Sequence, residues 1–185
     1  MRIVSGSARG RKLSAPVGME IRPTTDKVKE ALFSIIQFEL SGKRVLDLFA
    51  GTGQLGLEAL SRGAASAVFT DSSRQAVELV RANVRVTGFG DRSTVLRTDA
   101  FSFLSHTTDV FDIVFLDPPY EQGFCEKAAA LLPRVLSENA VVIAETRPEE
   151  PLPEAIGPLR IYRVYRYSAI CLTVYRKPEA EVETV

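Results

Sequence analysis

Much of the chain alternates short apolar runs with stretches of helical spacing. Val45-Leu46-Asp47-Leu48-Phe49 reads as a buried strand, a helix follows through Leu60, and Ala67-Val68-Phe69-Thr70 reads as a second strand. Ala76, Val77, Val80 and Val84 recur at helical spacing ahead of the strand Thr94-Val95-Leu96-Arg97, and a short helix leads on to Ile113-Val114-Phe115-Leu116. Ala128, Leu131, Leu132, Val135 and Leu136 mark one side of another helix, before the strand Ala140-Val141-Val142-Ile143-Ala144. Near-continuous apolar strands separated by helices predict a parallel sheet covered on both faces. Right-handed crossovers wind such a sheet into a doubly wound α/β domain.

The two ends break this rhythm. Arg2-Ile3-Val4-Ser5 and Arg11-Lys12-Leu13-Ser14, joined through Gly6 and Gly10 and closed by Pro16 and Gly18, predict a small β-hairpin. A helix begins near Asp26 with Thr24 or Thr25 as cap, carries Val28, Ala31, Leu32, Ile35 and Ile36 on one side, and is ended by Gly42. Near the other end, Ile161 to Tyr167 and Ile170 to Tyr175 leave no room for a helix between them and predict an antiparallel hairpin. No repeat or linker divides the chain, so one domain is expected over residues 1–185, with a basic hairpin extension at 1–25 and a frayed tail at 178–185.

Composition narrows the setting. The chain is 45% hydrophobic and 25% charged, and no apolar run nears the ~20 residues of a membrane span, so water is the expected solvent. The opening residues are too polar for a leader's apolar stretch, which predicts a cytoplasmic protein. Cys125 and Cys171 lie far apart in apolar surroundings and read as reduced core thiols; His106 sits among Ser105, Thr107 and Thr108 and reads as a solvated loop residue. Without a Cys/His cluster, neither a metal site nor a histidine-based triad is expected.

The net charge is zero, but its distribution is uneven. Residues 1–30 carry seven basic side chains (Arg2, Arg9, Arg11, Lys12, Arg22, Lys27, Lys29) against three acidic ones (Glu20, Asp26, Glu30). Arg2, Arg9, Arg11 and Lys12 therefore make this end a candidate phosphate-facing surface, because clustered cations are what a phosphate backbone selects. Between Arg160 and Lys177 lie five more basic residues with no acid, offset by Glu179, Glu181 and Glu183 in the tail.

The candidate chemistry sits at the strand ends. Gly51-Thr52-Gly53-Gln54-Leu55-Gly56 has the G-x-G-x-x-G spacing, between a strand and a helix, that lets backbone approach a ligand. Asp47, four residues earlier, would set a carboxylate beside that ligand. A pyrophosphate prefers helix N–H groups with no anion nearby, so Asp47 favours a cationic cofactor over a nicotinamide dinucleotide. Asp71, twenty residues after Gly51, suits two ribose hydroxyls; the competing reading is a helix cap shared with Ser72 or Ser73. Asp99 reads as a cap or as a partner for an adenine amino group. Three carboxylates around one glycine turn describe a pocket for adenosine bearing a cation.

Asp117-Pro118-Pro119-Tyr120 follows the fourth strand. Prolines present carbonyl acceptors without competing N–H donors. The Asp117 carboxylate and a neighbouring carbonyl can accept both hydrogens of an aromatic amine, aiming its lone pair at an electrophilic methyl, while Tyr120 stacks on the base. Attack on a sulfonium methyl is a single displacement, so no base with a strongly displaced pKa is required.

In Arg22-Pro23-Thr24, Lys29-Glu30-Ala31-Leu32-Phe33, the Val45 to Gly53 segment, Leu57-Glu58-Ala59-Leu60-Ser61-Arg62-Gly63-Ala64 and Asp117-Pro118-Pro119-Tyr120, the sequence resembles the class I methyltransferases, and within them the RsmD family of bacterial 16S rRNA guanine-N2 methyltransferases. The resemblance implies a Rossmann-like α/β fold: a seven-stranded, mostly parallel sheet with an antiparallel terminal hairpin, plus the small N-terminal hairpin and helix. It implies S-adenosylmethionine as cofactor and 16S rRNA as partner, met within the small ribosomal subunit or an assembly intermediate by a monomer away from membranes. Carried over, Asp47, Gly51 and Gly53 hold the methionine end, Asp71 the ribose, and Asp99 with Ala100 the adenine. Arg22 and Thr24 lie over the cofactor, and Phe49, Ser72 and Asp117 complete the cofactor-binding set. Asp117, Pro118, Pro119 and Tyr120 form the catalytic set. Alternative readings are an amino-methylating enzyme acting on another nucleic-acid base or a protein glutamine, and a non-catalytic RNA-binding factor on the same scaffold.

Overall fold

The computed structural model describes residues 1–15, 26–119, 123–167 and 169–178. Parallel strands β1 (Arg44–Asp47), β2 (Ser66–Asp71), β3 (Ser93–Arg97), β4 (Phe111–Leu116) and β5 (Leu136–Thr146) are followed by β6 (Ala155–Ile156), β7 (Leu159–Tyr167) and β8 (Ile170–Arg176), which join antiparallel. The helices are α1 (Asp26–Ile35), α2 (Gln54–Ser61), α3 (Arg74–Thr87), α4 (Ala100–His106) and α5 (Phe124–Leu131). The sheet order is β3-β2-β1-β4-β5-β8-β7-β6. From β1 the chain winds outward to β3 and then returns to β4 on the other side of β1. That reversal leaves a crevice beyond the carboxyl ends of β1 and β4, where doubly wound sheets bind ligands.

Alternation along the strands builds two apolar layers. Val45, Ile113 and Ile143 pack with Leu32, Phe33 and Val80 on one face; Leu46, Val114 and Val142 pack with Leu104, Ala128 and Leu132 on the other. Cys125 and Cys171 are buried free thiols. No helix among the described residues is long and apolar enough to cross a membrane.

Several boundaries differ from the expected ones. An eighth strand, the two-residue β6, adds to the expected seven; it pairs with β7 across a turn at Gly157 (φ 55°) and is too short to carry a periodic signal. Leu136 opens β5 instead of closing a helix, because a 3₁₀ turn at Leu132–Val135, containing Pro133, ends α5 first. Helix α1 stops at Ile35, well before Gly42: the Glu39 N–H closes onto the Ile36 carbonyl at 2.9 Å, tightening the last turn. Ile36 and Leu40 stay buried. His106 is the exposed last residue of α4 instead of a loop residue.

The N-terminal segment is held mainly by what lies beneath it. Its two arms meet at the antiparallel bridge Arg2↔Lys12, with the Ile3 amide donating to the Arg11 carbonyl at 3.0 Å and the Leu13 amide to the Met1 carbonyl at 3.1 Å. The buried Glu58 carboxylate accepts from the Val4 and Ser5 amides at 2.8 and 2.9 Å and from Arg62 at 2.8 Å, while the buried Lys29 ammonium lies 3.9 Å from it and donates to the Arg2 carbonyl at 2.6 Å. Burial lowers the Lys29 pKa, and Glu58 opposes that shift. Gly6 lies so close to α2 that a Cβ there would stand 1.9 Å from the Ser61 carbonyl oxygen.

Candidate active site

A cavity of about 880 Å³ opens at the carboxyl ends of β1, β2, β4 and β5 and at the start of α4. That is the size of a pocket for a drug-sized ligand. Asp47, Asp71, Asp99, Asp117 and Glu145 give it a strongly acidic lining, broken by Arg147.

The glycine turn is fixed by two of these acids. Asp47 is almost fully buried, and its Oδ2 accepts from the Gly56 amide at 2.9 Å, locking the strand end to the first turn of α2. Burial pushes the Asp47 carboxyl up to about 7; the Gly56 hydrogen bond opposes this and the Asp71 charge adds to it. Asp71 accepts from the Gly51 amide through Oδ2 at 2.9 Å and from the Ser73 amide through Oδ1 at 2.8 Å. It is thus at once a cavity-lining carboxylate and a local turn acceptor, while the side-chain cap of α3 is Ser73. Asp99 caps α4 through Oδ1, 2.9 Å from the Ser102 amide, and also lines the cavity with Ala100. The cap reading thus holds for Asp99 and passes from Asp71 to Ser73, and both carboxylates border the cavity.

Gly51 lines the cavity at φ 54°, a conformation that favours glycine. Gly53 is not among the lining residues; it turns the chain at φ 75° and backs onto Val80, 3.1 Å from where a Cβ would stand. Phe49 and Ser72 also line the cavity, with Pro118 and Pro119 at its β4 side. Asp117 accepts no hydrogen bond from any described residue, although it sits among other acids. Part of its surface reaches solvent, yet burial first, and then the charges of Glu145 and Asp47, hold its pKa well above the usual carboxylate range. No strongly displaced carboxyl was expected at this position, and Asp117 is one.

Arg22, Thr24 and Tyr120 lie outside the described residues. Arg2, Arg9, Arg11 and Lys12 lie on the N-terminal segment and do not line the cavity; all four are exposed, and Arg2 is paired with Asp26 at 3.0 Å.

Sequence reasoning passed over several lining residues. Phe101 and Phe124 join Phe49 in an aromatic wall, with centroids 6.4 Å (Phe49 to Phe101), 6.0 Å (Phe49 to Phe124) and 5.5 Å (Phe101 to Phe124) apart. Each follows a recognised strand-end motif, which was the available signal. Gln54 sits inside the glycine motif, and its Oε1 is buried with no partner among the described residues. Glu145, next to last in β5, lies one position past Ala144, which pairs with Leu116, so it neighbours Asp117 across the sheet. Asn83 on α3 accepts from the Ser14 amide at 2.8 Å and donates to the Thr52 carbonyl at 2.9 Å, tying the N-terminal segment to the glycine turn.

This geometry has a family behind it. Residues 1–176 match the model of the family described as Conserved hypothetical protein 95. The chain belongs to that family. YlbH of Bacillus subtilis is 40% identical over 185 residues, covering 96% of this chain and 99% of that one. Ribosomal RNA small subunit methyltransferase D of Escherichia coli strain K12 is 34% identical over 186 residues, covering 100% of this chain and 93% of its own length. The solved structure of yhhF from Escherichia coli superposes with a TM-score of 0.86 at 35% identity, covering 97% and 99% of the two chains. The family's fold is therefore this chain's fold: a mostly parallel α/β sheet with an antiparallel terminal hairpin, as in methyltransferases.

Proposed function

We propose that the chain transfers the methyl group of S-adenosylmethionine to the exocyclic N2 amino group of a guanine in small-subunit ribosomal RNA, meeting that RNA in the small subunit or an assembly intermediate. Membership of a family with rRNA methyltransferases supports the reaction class. The observation that carries the assignment of roles is Asp117. Its carboxylate has no donor among the described residues, and it borders the cavity that the Asp47-anchored glycine turn also borders.

An adenosine bearing a cation fits the donor set. The acidic lining suits positive charge, the buried Gln54 Oε1 needs a donor, and the Phe49, Phe101 and Phe124 rings supply a flat apolar wall. In this reading Asp47, Gly51 and Gln54 hold the methionine end. Asp71 accepts from the ribose hydroxyls with the lone pairs left after Gly51 and Ser73, beside Ser72, and Asp99 with Ala100 meets the adenine. Gly53 shapes the turn, and Arg22 and Thr24 cover the site. Bound S-adenosylmethionine supplies an electrophilic methyl on a sulfonium sulfur.

Asp117 accepts an N–H of the base amine and holds the nitrogen lone pair toward the donor side of the cavity. Pro118 and Pro119 bring no N–H to compete, and Tyr120 stacks on the base. The raised pKa of Asp117 suits it to take up the proton that the methylated nitrogen sheds. Arg2, Arg9, Arg11 and Lys12 contact phosphates.

The test is a labelled-methyl transfer assay on small subunits, naked 16S rRNA and DNA, with the product nucleoside identified after nuclease digestion. N2-methylguanosine from small-subunit RNA is expected; label confined to DNA or protein contradicts the proposal.

A further inference from the structure

Strand β7 has a composition that the sheet does not need. Its sequence is Leu-Arg-Ile-Tyr-Arg-Val-Tyr-Arg-Tyr, and all but the first residue are exposed or half-exposed. Tyr162 is 55% exposed, Val164 39% and Ile161 36%. β7 carries Arg160, Arg163 and Arg166 and no acid, and none of the three arginines meets a carboxylate among the described residues. Beyond its two-residue pairing with β6 and the bond from the Ile161 amide to the Glu154 carbonyl at 3.2 Å, no strand pairs with its outer edge among the described residues.

The cations and rings interleave. Arg163 lies 5.8 Å from the Tyr162 ring centroid and 5.9 Å from that of Tyr165, and Arg176 of β8 lies 4.6 Å from that of Tyr162. Tyr162 is thus flanked by two guanidinium groups while more than half of its surface is in solvent. Arg176 is neutralised by Glu39, so the uncompensated charge belongs to β7 itself.

Two relationships place this strand on a path to the cavity. Glu145, which lines the cavity, pairs with Leu172, and Leu172 pairs with Tyr165; one row on, Thr146, Cys171 and Arg166 align. The arginine-tyrosine strand therefore lies two strands, roughly 10 Å, from the cavity's edge. Helix α1 links the same surface to the N-terminal cations: Lys29, near its start, donates to the Arg2 carbonyl, and the Ile35 carbonyl at its end accepts from Arg176. Its ten residues span about 15 Å.

We propose that the exposed surface of β7 on the face shared by Arg160 and Arg163, centred on Tyr162, is a second RNA-contact surface that grips the substrate strand beside the target nucleotide. The arginines meet phosphates and Tyr162 stacks on an unpaired base, the combination that single-stranded RNA selects. Steering by uncompensated positive charge favours RNA over an acidic protein segment because the rings offer stacking faces between the cations. The inference rests on the proposed rRNA methylation, and its test separates the two.

Arg160→Gln/Arg163→Gln and Tyr162→Ala chains are compared with the unaltered chain in methyl transfer to small subunits, in binding of small subunits and of a fluorescent 16S rRNA fragment across a salt series, and in S-adenosylmethionine titration calorimetry. If the unaltered chain methylates no RNA, the function itself is wrong. If it does, the double variant is expected to raise KM for RNA about tenfold, with kcat and S-adenosylmethionine affinity unchanged, and to flatten the log-log salt slope by roughly 0.7 per arginine. Tyr162→Ala raises KM without changing the slope. Unchanged KM and slope in both variants overturn the proposal, as does weakened binding to small subunits with unchanged binding to the RNA fragment, which assigns the surface to a ribosomal protein.

Discussion

The Asp71 carboxylate accepts a 2.9 Å hydrogen bond from the Gly51 amide, so the end of β2 holds the turn that follows β1. The side chain expected to meet a ribose also fixes the backbone that carries the ligand. Asp71→Ala removes a charge-assisted bond of about 1.5–3 kcal/mol and loosens the turn together with the ribose contact. S-adenosylmethionine affinity in calorimetry is expected to fall at least tenfold, with a lowered melting temperature. Unchanged affinity and stability contradict this dual role.

The shifted Asp47 carboxyl gives ligand binding a pH signature. Its ordinary value is 3.8 and the folded value about 7, so between these the folded chain keeps a proton that the unfolded chain has released. The contribution of Asp47 to the stability of the ligand-free protein is therefore fully present below the lower value and falls as pH rises through the window. A cationic ligand favours the ionised form, against the added repulsion of Asp71 and with Asp117 and Glu145 nearby. Binding near pH 6.5 should release protons, visible as a binding heat that changes with the ionisation enthalpy of the buffer; proton uptake, or no buffer dependence, would count against the assignment.

Glu58 and Lys29 form a buried pair with no place in the chemistry. Glu58→Ala leaves the Lys29 ammonium only Asp26 at 3.8 Å and the Arg2 carbonyl, and frees Arg62 and the Val4 and Ser5 amides, a loss of about 3–5 kcal/mol. Urea unfolding reads it directly, and a change below about 1 kcal/mol would mean that the N-terminal segment is anchored elsewhere.

Gly56 separates packing from ligand binding. Its φ is not left-handed, but a Cβ there would lie 2.3 Å from Phe69 Cε1 and 2.8 Å from Cζ, against a buried ring. Gly56→Ala should cost about 1–3 kcal/mol through overpacking. Thermal unfolding checks this, and an unshifted midpoint would refute it.

The central sheet was legible because its strands are apolar on both faces and its helices periodic. Asp47, Asp71, Asp99 and Asp117 were legible because strand ends in a doubly wound sheet converge by topology. Glu58, Lys29 and Asn83 were not: their meaning lies in bonds spanning 27 to 69 residues of sequence, and nothing local distinguishes them from surface polar residues. Phe101, Phe124 and Glu145 escaped for a related reason. Sequence order does not reveal which rings close on one another or which strand end stands beside β4. The end of α1 was overestimated because Ile36 and Leu40 keep helical spacing after the backbone has turned away.

The account depends most on Asp117. The decisive measurement is single-turnover methyl transfer to small subunits by the unaltered chain and by Asp117→Ala, with S-adenosylmethionine affinity determined for both. Retained cofactor binding with a rate reduced at least a hundredfold is predicted, since the variant removes an acceptor that positions the amine and takes its proton. An unchanged transfer rate in Asp117→Ala would contradict it.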